Sequence, residues 1–159
     1  MIRAIILILA VTLFKTVNYE LRPTINQKPS TVLKTGWYYV LDKENSHSKQ
    51  LYKSNEKYFI DPQPIVLAKH FTKVEIVSSN NNGKPYQYLL IKFDQIGTDA
   101  WSNATEKALY KKLALVIDDK LIVAPTVNSK IIAGISALGR GDLSAKELEK
   151  FEKILKSEM

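Results

Sequence analysis

The groups in this chain that could do chemistry are few and widely spaced. His47 and His70 fall in different segments, and neither has a second His or a Glu at ligand spacing. Each therefore reads as a structural histidine rather than a zinc ligand. The adjacent carboxylates Asp118 and Asp119 form the one acidic pair in an informative place. Paired acids can share a proton or hold a cation. Here they separate two apolar runs, where Asp supplies turn geometry, stays in water and bonds its own local backbone. A small-molecule or enzymatic site would have to be assembled from Tyr38, His70 and Asp118, and it requires all three to converge on one pocket. No Gly-x-Ser-x-Gly elbow, P-loop or Gly-x-Gly-x-x-Gly occurs, and Gly139-Arg140-Gly141 is only a fragment of a glycine loop. The chain has no cysteine, which removes disulfides, thiolate zinc sites and a thiol nucleophile. The expectation is a protein that is not an enzyme, with no catalytic residue, no cofactor and no metal.

Aromatic residues are the better candidates for contact. Trp37, Tyr38, Tyr39 and Tyr88 are the residues expected to face a partner, with Tyr86 nearby. Their competing role is the one strands usually give aromatics, in the core and in cross-strand pairs. Trp101 reads as a core anchor on a helix.

Charge narrows the partners. The formal net charge is +7, from lysines mainly, with Arg3, Arg22 and Arg140 as the arginines. Base readout and phosphate clamps rely on Arg forks, so nucleic acid is not expected. The lysine surplus reads as a solvated surface, with attraction to anionic membrane or acidic partners as its second use.

The elements that must position these residues begin after an unusual start. Arg3 precedes an apolar run, Ala4 to Phe14, closed by Lys15. A basic start and about 7–15 apolar residues describe a signal peptide, whereas a spanning helix needs about 20. Residues 1–18 are thus expected to be a signal peptide or N-terminal anchor, with residues 4–14 serving as a membrane tether in the second case. Residues 19–35, with Pro23 and Pro29, read as a linker, and residues 36–159 as the domain. The expected location is exported, periplasmic or membrane-anchored facing the periplasm.

Within the domain, Trp37–Leu41 reads as a strand, Leu51-Tyr52 and Tyr58–Ile60 as two short ones, and Asp61-Pro62-Gln63-Pro64 as a break. Lys73–Ser79 and Tyr86–Phe93 form a hairpin across an Asn/Gly turn. Leu89, Ile91 and Phe93 take one face, and Tyr86, Tyr88 and Leu90 the other. From Thr98 the period changes, and Trp101, Ala104, Thr105, Ala108 and Leu109 make one helical stripe. Leu113–Ile117 and Lys120–Val127 are apolar on both faces, which predicts a central hairpin covered above and below. Ile131–Leu138 offers another strand. Ser144 and Glu147 form a capping box for a last helix, stapled by Leu143 and Leu148, that buries Leu148, Phe151 and Leu155.

These elements carry a resemblance. Phe93, Gly97, Trp101, Ala104-Thr105, LALVIDDKLIVAPTVN (Leu113 to Asn128), Ile131, Gly134, Leu143-Ser144 and Glu147-Leu148 stand in a known order. The stretch from about Pro64 to Ile154 is similar to the head subdomain of the large periplasmic domain in SecD and SecDF, factors of the Sec export machinery. Two positions depart from that family: Asp119 stands where Gly is usual, and Ala133 where a glycine pair is common. The family couples proton flow to export through a transmembrane bundle, whereas this chain shows one short apolar run. The resemblance implies an α+β fold, a mostly antiparallel sheet with two helices packed on it. It also implies a non-catalytic role in contact with translocating polypeptide or a membrane or Sec-type protein partner. The alternatives are an envelope enzyme or small-molecule binder at Tyr38, His70 and Asp118, and a purely structural envelope protein.

Overall fold

The computed structural model describes residues 32–159, apart from residues 82, 140 and 142 and the side chains of residues 81 and 84. The expected signal or anchor (1–18), the linker up to residue 31, and Arg140 lie outside the described residues. In chain order the elements are β1 (Gly36–Leu41), β2 (Ser48–Gln50), β3 (Lys57–Leu67), β4 (Phe71–Asn81), β5 (Lys84–Phe93), α1 (Gln95–Lys107), β6 (Leu113–Ile117), β7 (Lys120–Val123), β8 (Ile135–Gly139) and α2 (Ala145–Ser157).

The fold is α+β, as expected, with the strands divided between two sheets. One has the order β2-β3-β1-β6-β7, the other β4-β5-β8, and every pairing within them is antiparallel. Side-chain alternation assigns the faces. Trp37 on β1 and Leu113, Leu115 and Ile117 on β6 point into a main core shared with both helices and the three-stranded sheet. Tyr38, Ala114 and Val116 point the other way, into a second core with Leu33, Ile60 and Leu121. Two cores on opposite faces explain why β6 is apolar at every position. β7 is a terminal strand, not a central one, but the turn after β2 folds over its edge. Leu51 bridges Leu121 in parallel, and the Tyr52 N–H donates to the Leu121 carbonyl at 2.8 Å. The five-stranded sheet is thereby bent toward closure around the second core.

Local chemistry sets the boundaries. The expected break at Asp61–Pro64 does not occur, and β3 runs through both prolines to Leu67. β2 pairs with β3 only at Lys57–Phe59, so among the described residues no strand on the outer edge beyond Ile60 needs a proline N–H. The prolines coincide with register shifts on either side of the Tyr38–Pro64 pair. α1 starts at Gln95, earlier than its apolar stripe, because Asp94 caps it: the Gly97 N–H donates to Asp94 Oδ1 at 2.7 Å. Leu109 lies beyond its end and is exposed. The Ser144–Glu147 capping box forms as expected, and Leu143, Leu148, Phe151 and Leu155 are all buried. Packing begins before Gly36: Leu33 and Thr35 are buried, and the Ala68 N–H donates to the Thr35 carbonyl at 3.0 Å.

Candidate functional site

Tyr38, His70 and Asp118 are not brought together. The Tyr38 hydroxyl is enclosed in the second core and donates to the Lys34 carbonyl at 2.6 Å. Burial, and next the charge of Asp119, push its pKa up to about 12, so this phenol stays protonated at neutral pH. His70 sits at the start of α1, with Nδ1 2.9 Å from Asp94 Oδ2. Asp118 is exposed and faces Lys120 at 3.2 Å. It borders a cleft of about 360 Å³ with Leu33, Thr35, Ala68 and Asp119, and neither Tyr38 nor His70 lines that cleft. Among the described residues no three His, Asp or Glu side chains are grouped to hold a metal ion.

The acidic pair does more than turn the chain. Asp118 and Asp119 both have positive φ, 49° and 60°, the conformation of a tight two-residue hairpin turn, which Asp tolerates better than most residues. The Asp119 carboxylate does not bond its local backbone as expected. It accepts from the Leu33 N–H at 2.7 Å and pairs with Lys49. Burial works against this carboxylate, but the Lys49 ammonium and the Leu33 N–H outweigh it and hold its pKa below the ordinary value. The Asp118 N–H donates to Thr35 Oγ1 at 3.0 Å. The tip thus ties the lead-in to the domain.

Two of the four aromatic candidates are buried in the fold. Trp37 is buried, donates from Nε1 to Ser136 Oγ at 3.1 Å and packs on Trp101 at 4.8 Å between ring centroids. Tyr38 is equally buried. The cause is shared: β1 is an interior strand with a core on each face, so both side-chain parities are covered. Tyr39 is half-buried and lines a cleft of about 200 Å³ with Asp61 and Lys111. Tyr88 is half-buried on the outer face of the three-stranded sheet, stacked against the exposed Tyr86 at 5.8 Å and 27°.

A different cleft has the features of a contact site. It holds about 340 Å³ between the turn after β2 and the chain leaving β7, walled by Leu51, Tyr52, Val123, Ala124, Pro125 and Leu143. One wall is fastened to the first turn of α2 by a single carboxylate. Glu147 Oε1 accepts from the Tyr52 hydroxyl at 2.9 Å, and Oε2 pairs with Lys53 at 2.7 Å while accepting from the Ser144 N–H at 2.8 Å. Lys53, then the Ser144 N–H and hydroxyl, then Tyr52, bring the Glu147 pKa down to about 2. The Tyr52 ring also meets Phe151 edge-on at 5.6 Å. Beyond Leu121 no strand pairs with the outer edge of β7 among the described residues. An apolar cleft beside an unpaired strand end can hold an apolar side chain and an extended backbone. Glu147 was legible as a cap, whereas its bond to Tyr52, 95 residues away, leaves no local signal.

The family model for the SecDF P1 head subdomain matches residues 43–158, which contain both sides of this cleft and the whole β6–β7 hairpin. This chain belongs to the SecDF P1 head subdomain family. Relatives include the protein translocase subunit SecD of Rickettsia typhi, 31% identical over 80 residues. That alignment takes in 50% of this chain and 15% of the relative. The SecD of Calditerrivibrio nitroreducens is 23% identical over 100 residues, 63% of this chain and 19% of the relative. The chain therefore spans less than a fifth of the length of these relatives. Among solved structures, SecDF in a super-membrane-facing form superimposes with a TM-score of 0.61 at 16% identity, covering 80% of this chain and 19% of that one. A structure described as that of a membrane component SecDF that enhances protein export gives 0.58 at 18% identity, covering 79% and 63%. The expected head-like fold and family are shown. No helix among the described residues is long and apolar enough to cross a membrane.

Proposed function

We propose that this chain is an exported, non-catalytic SecDF head module that holds extended polypeptide in the cleft between Tyr52 and Pro125, working beside a Sec-type partner. The observation that carries this reading is the cleft itself. Its lining is mainly apolar with Lys53 among it, it lies along the end of β7 that no described strand covers, and its rim is held to α2 through Glu147. The groups that could have done acid–base work elsewhere are engaged in structure or apart from one another. The family association supports a role near protein translocation, and the resemblance supports a periplasmic location for the head. Residues 1–18 would deliver the domain there as signal or anchor.

The test is photocrosslinking of the purified chain with an unfolded export precursor. A photoreactive residue at Pro125 is expected to capture the precursor, and one at Glu106 on α1 is not. Val123→Glu, which puts a charge beside the apolar wall, should abolish capture from Pro125. Equal capture from both positions, or none from Pro125, refutes the cleft as the site.

A further inference from the structure

The three-stranded sheet has one covered face and one open face. Val74, Leu89, Ile91 and Leu138 point into the main core. The pairing register lays out the opposite face in cross-strand rows. Lys73, Lys92 and Ile135 form one row, Glu75, Leu90 and Ala137 the next, then Val77, Tyr88 and Gly139, and last Ser79 with Tyr86. Tyr86 is 44% exposed and Ile135 37%. A Cβ added at Gly139 would lie 2.6 Å from the Tyr86 hydroxyl, so the glycine is what lets this ring lie down across the sheet.

The charges on this face are unbalanced. In these rows Lys73 and Lys92 stand against Glu75 alone. Lys73 and Lys92 sit directly opposite each other, an arrangement that costs stability in an antiparallel pair. Glu75 draws Lys73 at 2.8 Å, while Lys92 has no ion pair among the described residues. Toward the hairpin end, Ser79 and Asn80 add no charge.

We propose that this open face docks on an anionic bilayer surface. Tyr86, Tyr88 and Leu90 enter the interfacial layer, and Lys73 and Lys92 meet the lipid phosphates. Tyrosine rings favour the headgroup level, and lysines reach water or phosphate from long apolar stems. Each basic residue near such a surface adds a favourable electrostatic contribution. The face is the flat outer surface of a three-stranded sheet. A second copy would bring the same lysine excess and one glutamate to meet it. An anionic lipid surface satisfies both the apolar rows and the lysine row.

An apolar N-terminal run would draw the full chain to any bilayer, so orientation is the readout, not total binding. The chain lacks cysteine, and one introduced thiol can carry an environment-sensitive fluorophore. Labels at Ala137→Cys and, at the other edge, Ser79→Cys should shift to the blue with phosphatidylglycerol-containing vesicles. A label at Asn103→Cys on α1 should not respond, nor should any label with phosphatidylcholine alone. Salt at about 1 M, where the Debye length is about 3 Å, should reverse the shift. Lys73→Gln and Lys92→Gln should each weaken the response about fivefold. An equal response at Asn103→Cys overturns the proposal. So does a shift that grows with protein concentration without lipid, which would assign the face to a second copy, or a shift with unfolded polypeptide alone.

Discussion

Replacing either core tryptophan by phenylalanine makes the same chemical change in the same core, yet the two variants should differ widely in stability. The Trp37 and Trp101 rings are 4.8 Å apart, and 1% and 4% of each residue is exposed. The smaller ring leaves roughly 40 Å³ in either place, which at about 24 cal/mol per Å³ costs about 1 kcal/mol. The indole N–H groups are not equivalent. Trp37 Nε1 donates to Ser136 Oγ, whereas buried Trp101 Nε1 finds no acceptor among the described residues. Trp37→Phe therefore also strands the Ser136 hydroxyl, itself 6% exposed, at about 1–3 kcal/mol. Trp101→Phe instead removes a donor whose burial already carries about that cost. The expected loss is about 2–4 kcal/mol for Trp37→Phe, against a change for Trp101→Phe between about zero and about 2 kcal/mol of gain. Urea unfolding of the purified chain measures both, with an unchanged m-value as the check that only stability moved. Adding Ser136→Ala to Trp37→Phe should recover the stranded-hydroxyl part. Equal losses, or a larger loss for Trp101→Phe, would refute the assignment of the two N–H groups.

Three further perturbations probe the long-range ties. Glu147 has its pKa brought down to about 2, first by Lys53, so its contribution is full above its ordinary 4.5 and is lost as pH falls toward 2. Urea midpoints of the native chain and Glu147→Gln should differ at neutral pH and converge across that acid window. Asp119, also depressed, works in the same direction: its hold on Lys49 and the Leu33 N–H is present above its ordinary pKa and fades as pH falls through the lower folded value. Asp119→Ala should speed hydrogen exchange at the Leu33 amide by removing its acceptor, with the effect shrinking in acid. Gly134 has φ +63°, and an added Cβ would lie 2.3 Å from Thr98 Oγ1. Gly134→Ala should cost more than the about 1–2 kcal/mol of a left-handed residue. Combination with Thr98→Ala, judged against Thr98→Ala alone in thermal melts, should recover only the part due to contact.

What was legible in the sequence is what local chemistry determines. The capping box at Ser144, the β4–β5 hairpin, the alternation along β5 and the doubly apolar β6 each follow from neighbours within a few residues, and each is where it was expected. The start of α1 was misplaced because a lone capping Asp94 is a weaker signal than an apolar stripe. The passage of β3 through two prolines depends on how far β2 extends along it, which no local pattern encodes. The division into two sheets is likewise a matter of partners distant in the chain. Trp37 and Tyr38 were read as contact residues because composition reveals that a strand is aromatic, not that its strand is covered on both sides.

The same distinction bears on the site. Three of the groups first suspected of chemistry have internal tasks: Tyr38 bonds the Lys34 carbonyl within its core, His70 pairs with Asp94, and Asp119 holds Leu33 and Lys49. A carboxylate or phenol so engaged is displaced only at the expense of the fold, which makes it a poor reactant. Apolar surface that the fold leaves open has no such task. It occurs beside Val123, Ala124 and Pro125 in the cleft and along Tyr86, Tyr88 and Leu90 on the outer sheet. Both lie on edges or faces that a spacing rule treats as ordinary strand, so the signal for them was never a motif. They become visible only once the pairing order shows which edge of β7 and which face of β5 lack a neighbour among the described residues.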